Sequence, residues 1–592
     1  MKHTIPTQKI IRQLNRDEYS GELYATKGID LTSSKGKIRP GRALIATKDN
    51  TDDAQLEYPV SFVRTAADNT DRWWALCNTV LFKTASALAT DWTQDAISGT
   101  PTDLSHLTSD AVEFNSSLLA SRSTDIAQLA AGTWTISWWG TTLAQTGMTA
   151  STYHPMFVGF QNVLLIGDSR YVHTVDVNNR VRKNRITLRP EFKIRWIKGN
   201  STSYFIGADH IYGGEGKVFE WDGTTENFNR EYGIESDISF SCAIKNEIPY
   251  TFTRGAKLLR FNGGGFTEVA RLPIAHTLFD TTTKRYGVYL NDGSSLNVRP
   301  NGMDVIDGNV HIALNGGLVG GTVDFLDTAN SGIYEYDENI GLYNKYAFSK
   351  YKTGSRVDFG EGSIYRAGAL KNLNDRSFFT GFSTYTDIAT TERHAILAPS
   401  STIENRGHII TPKLQTSGET NKWQRIWLKH RLKTTTDEII VKYRSSQNLT
   451  SNFRAYVTWV DTTSFTGIGG VSNCVGDGDW STASVGDEIT VMRGHGSGVV
   501  AHITSIANNA GTYTITIDNT LASNSTTTAM VYVRNWIKLG TITSTDDQPK
   551  SFAINTTPKS WSQFKIELRG QYDGCELEEI QVISDNENKG TS

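Results

Sequence analysis

Short segments in which apolar and polar residues alternate recur along the first 400 residues of the chain. Related strand-like segments, such as VFEW, LLRF and IYEY, begin near residues 81, 126, 172, 218, 258 and 333. Most successive starts lie about 45 residues apart. Several of them end in Asn, Asp or Gly residues, which favour tight turns. A period of about 45 residues is typical of the four-stranded blades of a β-propeller. We therefore predict a mainly β protein with a β-propeller of six or seven blades over residues 56–400.

The number of blades depends on the interval between residues 258 and 333, which is too long for one unit. This interval holds either a degenerate blade, around TKRYGVYLNDGSSLNVR, or an insertion. The later segment RSFFTGFSTYTDIATTERHAILAP would close the ring.

The segment Glu220-Trp221-Asp222 has two interpretations: catalytic carboxylates or the end of a β-strand. Similar segments recur at 258–261 and 333–336, so we assign it to the repeat, with a hairpin turn at Asp222-Gly223. A propeller glycoside hydrolase would instead require a pair of carboxylates to converge on the central mouth of the propeller, and four acids are candidates. These are Glu220, Asp222, Glu335 and Asp337.

The rest of the chain divides into four further regions. Residues 1–55 contain Gly, Ser and Lys with little periodicity, which predicts an extended N-terminal arm. The segments 401–450 and 536–585 alternate over longer strands and predict two parts of one split β-sandwich. Between them, residues 451–535 predict an inserted small β domain, and residues 586–592 form a tail.

Composition and motifs argue against several classes of function. The 592 residues carry a net charge of −3, which gives no overall attraction to nucleic acid or membranes. The four cysteines are far apart and form no CxxC motif, which fits a reducing cytoplasm and predicts no metal framework. We see neither an apolar leader nor an apolar run of about 18 residues, so we expect no membrane insertion. No phosphate-binding or dinucleotide-binding motif occurs, and we expect no cofactor.

One stretch is strongly basic. Between residues 180 and 198 it holds Arg180, Arg182, Lys183, Arg185, Arg189, Lys193, Arg195 and Lys198, with Glu191 as its single acid. These residues could form a rim that faces DNA or an acidic partner. The alternative is a solvated blade edge, where charge prevents strands of other molecules from pairing.

Two other segments offer three further kinds of candidate chemistry. Trp480, beside Asp and Gly turns in the insert, is a candidate glycan contact. A possible calcium-ligand set lies around it, although turn formation explains these acids equally well; the set is Asp477, Asp479, Asp487 and Glu488. The segment KWQRIWLKHRLK, 422–433, could bind single-stranded nucleic acid, but its alternation more simply predicts a strand with Ile426 and Leu428 on one face.

The order of these segments resembles the propeller-containing tail structural proteins, of nozzle or tail-tip type, of tailed bacteriophages. The resemblance rests on GIDLTSSKGKIRPGR, the propeller repeats, and then ITPKL, KWQRIWLKHRL, EIIVKYRSS, QFKIELRG and CELEEIQVI. It covers most of the chain except the insert.

The resemblance implies a structural component of the virion tail, synthesised in the bacterial host cytoplasm, and no catalytic residues. Its expected partners are copies of itself in a sixfold ring, other tail or adaptor proteins, and genomic DNA passing through the lumen. An alternative is a receptor-binding tip or fibre protein that recognises a host surface glycan. A propeller glycoside hydrolase is a third hypothesis.

Overall fold

The computed structural model is almost entirely β. It describes residues 2–5, 25–31, 37–49, 56, 59–77, 80–84, 92–95, 101, 103–104, 109–212, 215–234, 238–253, 257–271, 279–280, 285–286, 297–315, 332–347, 364–374, 377–385, 393–400, 405–412, 414, 422–445, 453–468, 480–493, 500–518, 528–534, 536–554, 562–570 and 572–585. The predicted tail, 586–592, lies outside these residues.

The N-terminal segment contains five short strands. They are β1 (Lys2–Ile5), β2 (Ala25–Lys27), β3 (Ile29–Asp30), β4 (Arg39–Pro40) and β5 (Ala43–Asp49). They do not form one unit, because each of β1, β2 and β5 pairs with a strand that lies hundreds of residues away.

Seven four-stranded antiparallel sheets form the β-propeller. Blades one to three contain β6 (Pro59–Thr65), β7 (Arg72–Cys77), β8 (Val80–Thr84), β9 (Thr93–Gln94), β10 (Ala111–Phe114), β11 (Ser117–Ser121), β12 (Ile126–Ala130), β13 (Thr133–Thr135), a π-helical turn (Trp138–Thr142), β14 (Met156–Val158), β15 (Leu164–Asp168), β16 (Tyr171–Val175) and β17 (Val181–Thr187). Blades four and five contain β18 (Phe192–Gly199), β19 (Tyr204–His210), β20 (Gly216–Trp221), β21 (Arg230–Ile234), β22 (Ile238–Lys245), β23 (Ile248–Thr253), β24 (Lys257–Phe261) and β25 (Phe266–Arg271). A separate two-stranded pair, β26 (Phe279–Asp280) and β27 (Arg285–Tyr286), follows blade five.

Blades six and seven complete the ring. They contain β28 (Asn297–Ile306), β29 (Asn309–Asn315), β30 (Gly332–Asp337), β31 (Gly341–Ala347), β32 (Ile364–Asn374), β33 (Ser377–Tyr385) and β34 (Arg393–Ser400), and the fourth strand of blade seven is β5. The first strand of each blade contacts the first strand of the next, and β32 contacts β6, which closes the circle. A buried apolar cluster lies between every pair of adjacent blades, as expected when each sheet is covered on both faces.

The sequence repeat corresponds to one strand of each blade. The six predicted segments are the third strands of blades one to six, namely β8, β12, β16, β20, β24 and β30. The long interval between residues 258 and 333 contains no further described four-stranded blade. β28 and β29 share a sheet with β30, and only the β26–β27 pair is described between blades five and six.

The C-terminal region is a β-sandwich that carries an inserted barrel. Its strands are β35 (Asn405–Ile410), β36 (Lys422–Leu432), β37 (Glu438–Ser445), β38 (Phe453–Trp459), β39 (Ser464–Ile468), a 3₁₀ turn (Trp480–Thr482), β40 (Glu488–Arg493), β41 (Val500–Asn509), β42 (Thr512–Ile517), β43 (Thr528–Arg534), β44 (Ile537–Ile542), β45 (Lys550–Ala553), β46 (Ser562–Gly570) and β47 (Cys575–Asp585). The sandwich sheets have the orders β1-β47-β36-β45 and β2-β35-β46-β37-β44, and β38 to β43 close into a six-stranded barrel. Ile426 and Leu428 of β36 are buried in the core between the two sandwich sheets, as the alternation in this segment predicts.

The structure differs from the predicted extended arm. Within residues 1–55, β1 and β2 extend the two sandwich sheets, and β5 pairs with β34 from Ala43↔Ser400 to Asp49↔Ala395. The physical reason is that the last blade has only three strands of its own, so a distant segment must satisfy the open edge of β34. The arm is thus part of both large domains.

Candidate functional site

The basic stretch is split between opposite edges of two blades. Arg182, Lys183 and Arg185 lie on β17, the outer strand of blade three, whereas Lys193 and Arg195 lie on β18, the first strand of blade four. First strands contact one another around the axis and fourth strands lie outside. The predicted single basic rim is therefore not formed, because a turn and a change of blade separate its two halves.

The inner half of the stretch is neutralised or partly buried. Arg195 Nε donates to Asp209 Oδ2 at 2.8 Å, and the Asp209 side chain is only 3% exposed. Burial, together with the nearby Arg195 charge, lowers the pKa of Lys193. At the turn between the blades, Arg189 forms ion pairs with Glu191 and Glu231.

The outer half is more open. Arg180, Arg182 and Lys183 are exposed. Arg185 is half-buried: its guanidinium donates to the Thr224 carbonyl and lies 5.7 Å from the centre of the Trp221 ring. This half is the part of the stretch that can meet a partner.

A link from blade six crosses the axis of the propeller. Because β28 pairs through Val298↔Leu314 and then Met303↔Ile312, residues 299–302 bulge from the inner edge of the blade. From this bulge Asn301 Nδ2 donates to Asp110 Oδ1 at 2.6 Å, just before β10 of blade two. Blades two and six are not neighbours, so this hydrogen bond spans the centre of the propeller at that level.

The four candidate carboxylates of a glycoside hydrolase lie in two separate blades. Glu220 and Asp222 belong to blade four, and Glu335 and Asp337 belong to blade six, so blade five separates the pairs. Glu220 accepts hydrogen bonds from Ser203 and Tyr232.

Asp222 forms the predicted turn. The backbone N–H groups of Thr225 and Thr224 donate to its carboxylate, which lowers its pKa, and Gly223 follows with φ of 79°. Only a residue that tolerates positive φ fits there. The hairpin prediction for Asp222-Gly223 agrees with this geometry.

Trp480 is not a surface residue, so the glycan-contact prediction is wrong for it. Its side chain is 0% exposed and packs in the barrel core against Phe465, with ring centres 5.5 Å apart. Gly467 provides the space, since a Cβ atom there would lie 2.3 Å from the indole Nε1. The 3₁₀ turn at 480–482 directs the ring inwards, where burial of a large apolar area is favoured.

The proposed calcium set is also divided. Asp477 and Asp479 lie outside the described residues, and Asp487 and Glu488 are buried. Burial raises the pKa of Asp487 to about 6, while the backbone N–H of Ser484 donates to its carboxylate. Glu488 faces away from solvent towards two lysines of the sandwich.

These lysines belong to a buried charge cluster that joins barrel and sandwich. Lys442 Nζ and Lys565 Nζ each lie 2.6 Å from Glu488 Oε2, and both also contact Glu567. All four side chains are at most 1% exposed. His502 stands beside them, and its Nδ1 is hydrogen-bonded to Asp518 Oδ2 at 2.6 Å.

Glu488, His502 and Glu567 could in principle hold a metal ion, since one ligand atom of each lies within 4.8 Å of the others. The two ammonium groups already balance the two carboxylates, and a divalent ion would add two uncompensated charges to a dry site. The cluster is best described as an ion-pair network that fixes the barrel on the sandwich.

A second buried network joins the propeller to the sandwich. Lys345 of blade six contacts Glu335, and its Nζ lies 3.7 Å from Asp30 Oδ1 in the N-terminal segment. Tyr572 donates to Asp30 Oδ2 at 2.8 Å from the sandwich side. Gly41 permits this approach, because a Cβ there would lie 1.9 Å from the Lys345 carbonyl oxygen.

Sequence reasoning missed both networks. The available signal was the presence of charged residues inside apolar strand segments, as in EIIVKYRS around Lys442 and QFKIEL around Lys565 and Glu567. A charge in such a position is paired when buried. The partners, however, lie on a strand more than 100 residues away, as Glu567 does from Lys442, or in the inserted barrel, as Glu488 does, and cannot be identified from the segment alone.

Comparison with known proteins identifies no family. No protein-family model matches the chain, and no curated protein matches it. Among solved structures, it is similar to BBS1N in complex with ARL6DN (8% identity, TM-score 0.36, covering 61% of this chain and 98% of that one). It is also similar to the β-propeller domain of Cps50 (Swd1) from Myceliophteria thermophila, with 8% identity, a TM-score of 0.33 and coverage of 58% and 97%. Among the described residues, no helix has the length and apolar character needed to cross a bilayer. The sheet topology shows that the chain is a mainly β protein with a β-propeller.

Proposed function

We propose that this protein is a structural component of a bacteriophage virion tail, in a nozzle or tail-tip ring, and that it acts by assembling with copies of itself. The observation that supports the proposal best is the interlocking of its domains. The N-terminal segment supplies strands to the propeller and to both sandwich sheets, and buried charges fix both domain junctions. Domains that are joined in this way suit a structural protein, which acts by holding an assembly together and not by catalysing a reaction.

The proposed DNA channel is the lumen of the ring of copies. The propeller axis does not suit this role, because Asn301 and Asp110 bridge it. The domain order, from arm through propeller to sandwich, provides the link to phage tails through the resemblance described above.

The test is native mass spectrometry of the purified chain, combined with negative-stain electron microscopy. We expect a closed ring with an open lumen, with a single stoichiometry over a dilution series. A monomer at all concentrations that binds host cells would favour the receptor-binding alternative, for which Trp480 is no longer a candidate residue. A monomer that releases reducing sugar from host polysaccharide would favour the hydrolase.

A further inference from the structure

The outer edge of blade three presents an unusual surface. β17 pairs with β16 along one edge, and no described strand pairs with its other edge. The exposed side chains from residue 178 to residue 187 are all polar and include no acid; they are Asn178, Asn179, Arg180, Arg182, Lys183, Asn184 and Thr187. One exposed apolar side chain, Val177, precedes them and is 40% exposed.

A β-bulge turns two consecutive basic residues to solvent. β16 and β17 pair through Val172↔Ile186 and Thr174↔Arg182, so residues 183–185 stand opposite His173 alone. Asn184 has φ of 52°, in the left-handed region. In a regular strand Arg182 and Lys183 would point to opposite faces, whereas here both are exposed.

Buried groups hold this bulge in place. The backbone N–H of Asn184 donates to His173 Nδ1 at 3.0 Å. His173 stacks on Trp139, with ring centres 5.3 Å apart, and its Nε2 lies 3.5 Å from Asp168 Oδ2. Because Nδ1 accepts a hydrogen bond, Nε2 carries the proton and faces the carboxylate. The conformation that exposes the basic residues is therefore built into the blade.

The exposed cations of this edge have no acidic partner among the described residues. In the part of the chain that the structure describes, every ion-paired carboxylate contacts a basic residue outside this edge. The ammonium of Lys183 contacts a hydroxyl, Thr146 Oγ1, at 2.5 Å. The nearest acid in the chain, Asp176, accepts hydrogen bonds from the backbone N–H groups of Asn178 and Arg180. Three positive charges thus remain available to an external anion.

We infer that the outer edge of blade three, residues 178–187, binds the phosphate backbone of a nucleic acid. Surfaces that bind proteins are centred on apolar and aromatic anchors, which this edge lacks. Arg, Lys, Asn and Thr side chains are the groups that donate to phosphate oxygens without reading base sequence. The inference rests on the proposed function only because that function brings the chain into contact with DNA.

The experiment measures fluorescence anisotropy of a labelled DNA duplex of arbitrary sequence titrated with the full chain. If three phosphates are contacted, affinity should fall roughly 40-fold between about 50 and 200 mM salt. The triple variant Arg180→Gln, Arg182→Gln, Lys183→Gln should lose this salt-dependent binding, and Arg182→Gln alone should reduce the slope of log affinity against log salt by about one.

The matched control is Arg64→Gln, Lys433→Gln, Lys550→Gln, which removes the same charge at exposed sites already paired with acids. Equal loss in the control, or no binding by the unaltered chain, would overturn the inference. Native mass spectrometry of the unaltered chain separates the two ideas: if it forms a ring that does not bind DNA, only the inference is refuted. The triple variant should still form the ring and lose DNA binding.

Discussion

The two junctions of the sandwich both contain buried charges, but they are balanced differently. At the barrel junction, two lysines face two glutamates. At the propeller junction, the single ammonium of Lys345 serves Glu335 and Asp30, and further donors contribute: Asn309 donates to Glu335, His311 Nε2 lies 3.4 Å from Glu335 Oε2, and Tyr572 donates to Asp30. The propeller junction thus adds hydrogen bonds and a threaded N-terminal segment to its ion pairs. Loss of one charge should therefore be felt more strongly at the barrel.

The largest expected effect is at Glu488. Glu488→Gln removes the charge that faces both Lys442 and Lys565 and leaves one buried ammonium uncompensated, which should lower the stability of the barrel junction by about 3–5 kcal/mol. Hydrogen exchange of β40 and β41 would measure this local opening. Arg64→Gln, at an exposed pair with Asp71, serves as the control and should leave the same amides unchanged. Unaltered protection in Glu488→Gln would show that the network does not hold the barrel.

A smaller effect is expected at Glu335. After Glu335→Gln, Lys345 keeps Asp30 at 3.7 Å, so the loss should be about 1–3 kcal/mol. Hydrogen exchange of β30 and β31 reports it. If Glu335→Gln costs as much as Glu488→Gln, the additional donors and the threaded segment do not compensate for the lost charge.

A third effect, of similar size, concerns pH at the barrel side. Burial raises the pKa of Asp487 to about 6, so the folded state binds its proton more tightly than the unfolded chain. This group therefore penalises folding above about pH 6 and loses that penalty as the pH falls towards the ordinary Asp value near 4. Asp487→Asn should stabilise the barrel by about 1–3 kcal/mol near pH 7, and the difference from the unaltered chain should shrink towards pH 4.

His502 is a control for Asp487, because its effect on stability changes with pH in the opposite direction. Burial and the Lys442 charge lower the pKa of His502, so its contribution to stability is present above the ordinary His value and is lost as the pH falls below it. His502→Gln should therefore remove a loss of stability in acid, while Asp487→Asn removes a gain. Thermal unfolding of both variants across this pH range would show the two trends, and parallel pH profiles would contradict the assignment.

Local sequence patterns predicted where the strands lie better than which residues each strand contacts in the folded protein. The alternation in KWQRIWLKHRLK correctly buries Ile426 and Leu428, since the side-chain period of a strand depends only on adjacent residues. The same reasoning failed for Trp480, because Asp and Gly beside an aromatic residue do not reveal whether the turn faces solvent or a barrel core. The sequence identified the basic stretch at residues 180–198, but it did not show that blades three and four divide this stretch between them.

The sequence by itself determined the repeat, the third strand of six blades and the segments that supply the sandwich and its insert, because each depends on periodicity within a few tens of residues. Tertiary structure alone decided that Ala43–Asp49 closes the seventh blade against Arg393–Ser400. It also decided that Lys442 meets Glu488 across a domain boundary, and that Asn301 reaches Asp110 across the axis. These pairings join residues far apart in the chain, and what selects them is the cost of leaving a strand edge or a buried charge unsatisfied, which no local pattern records.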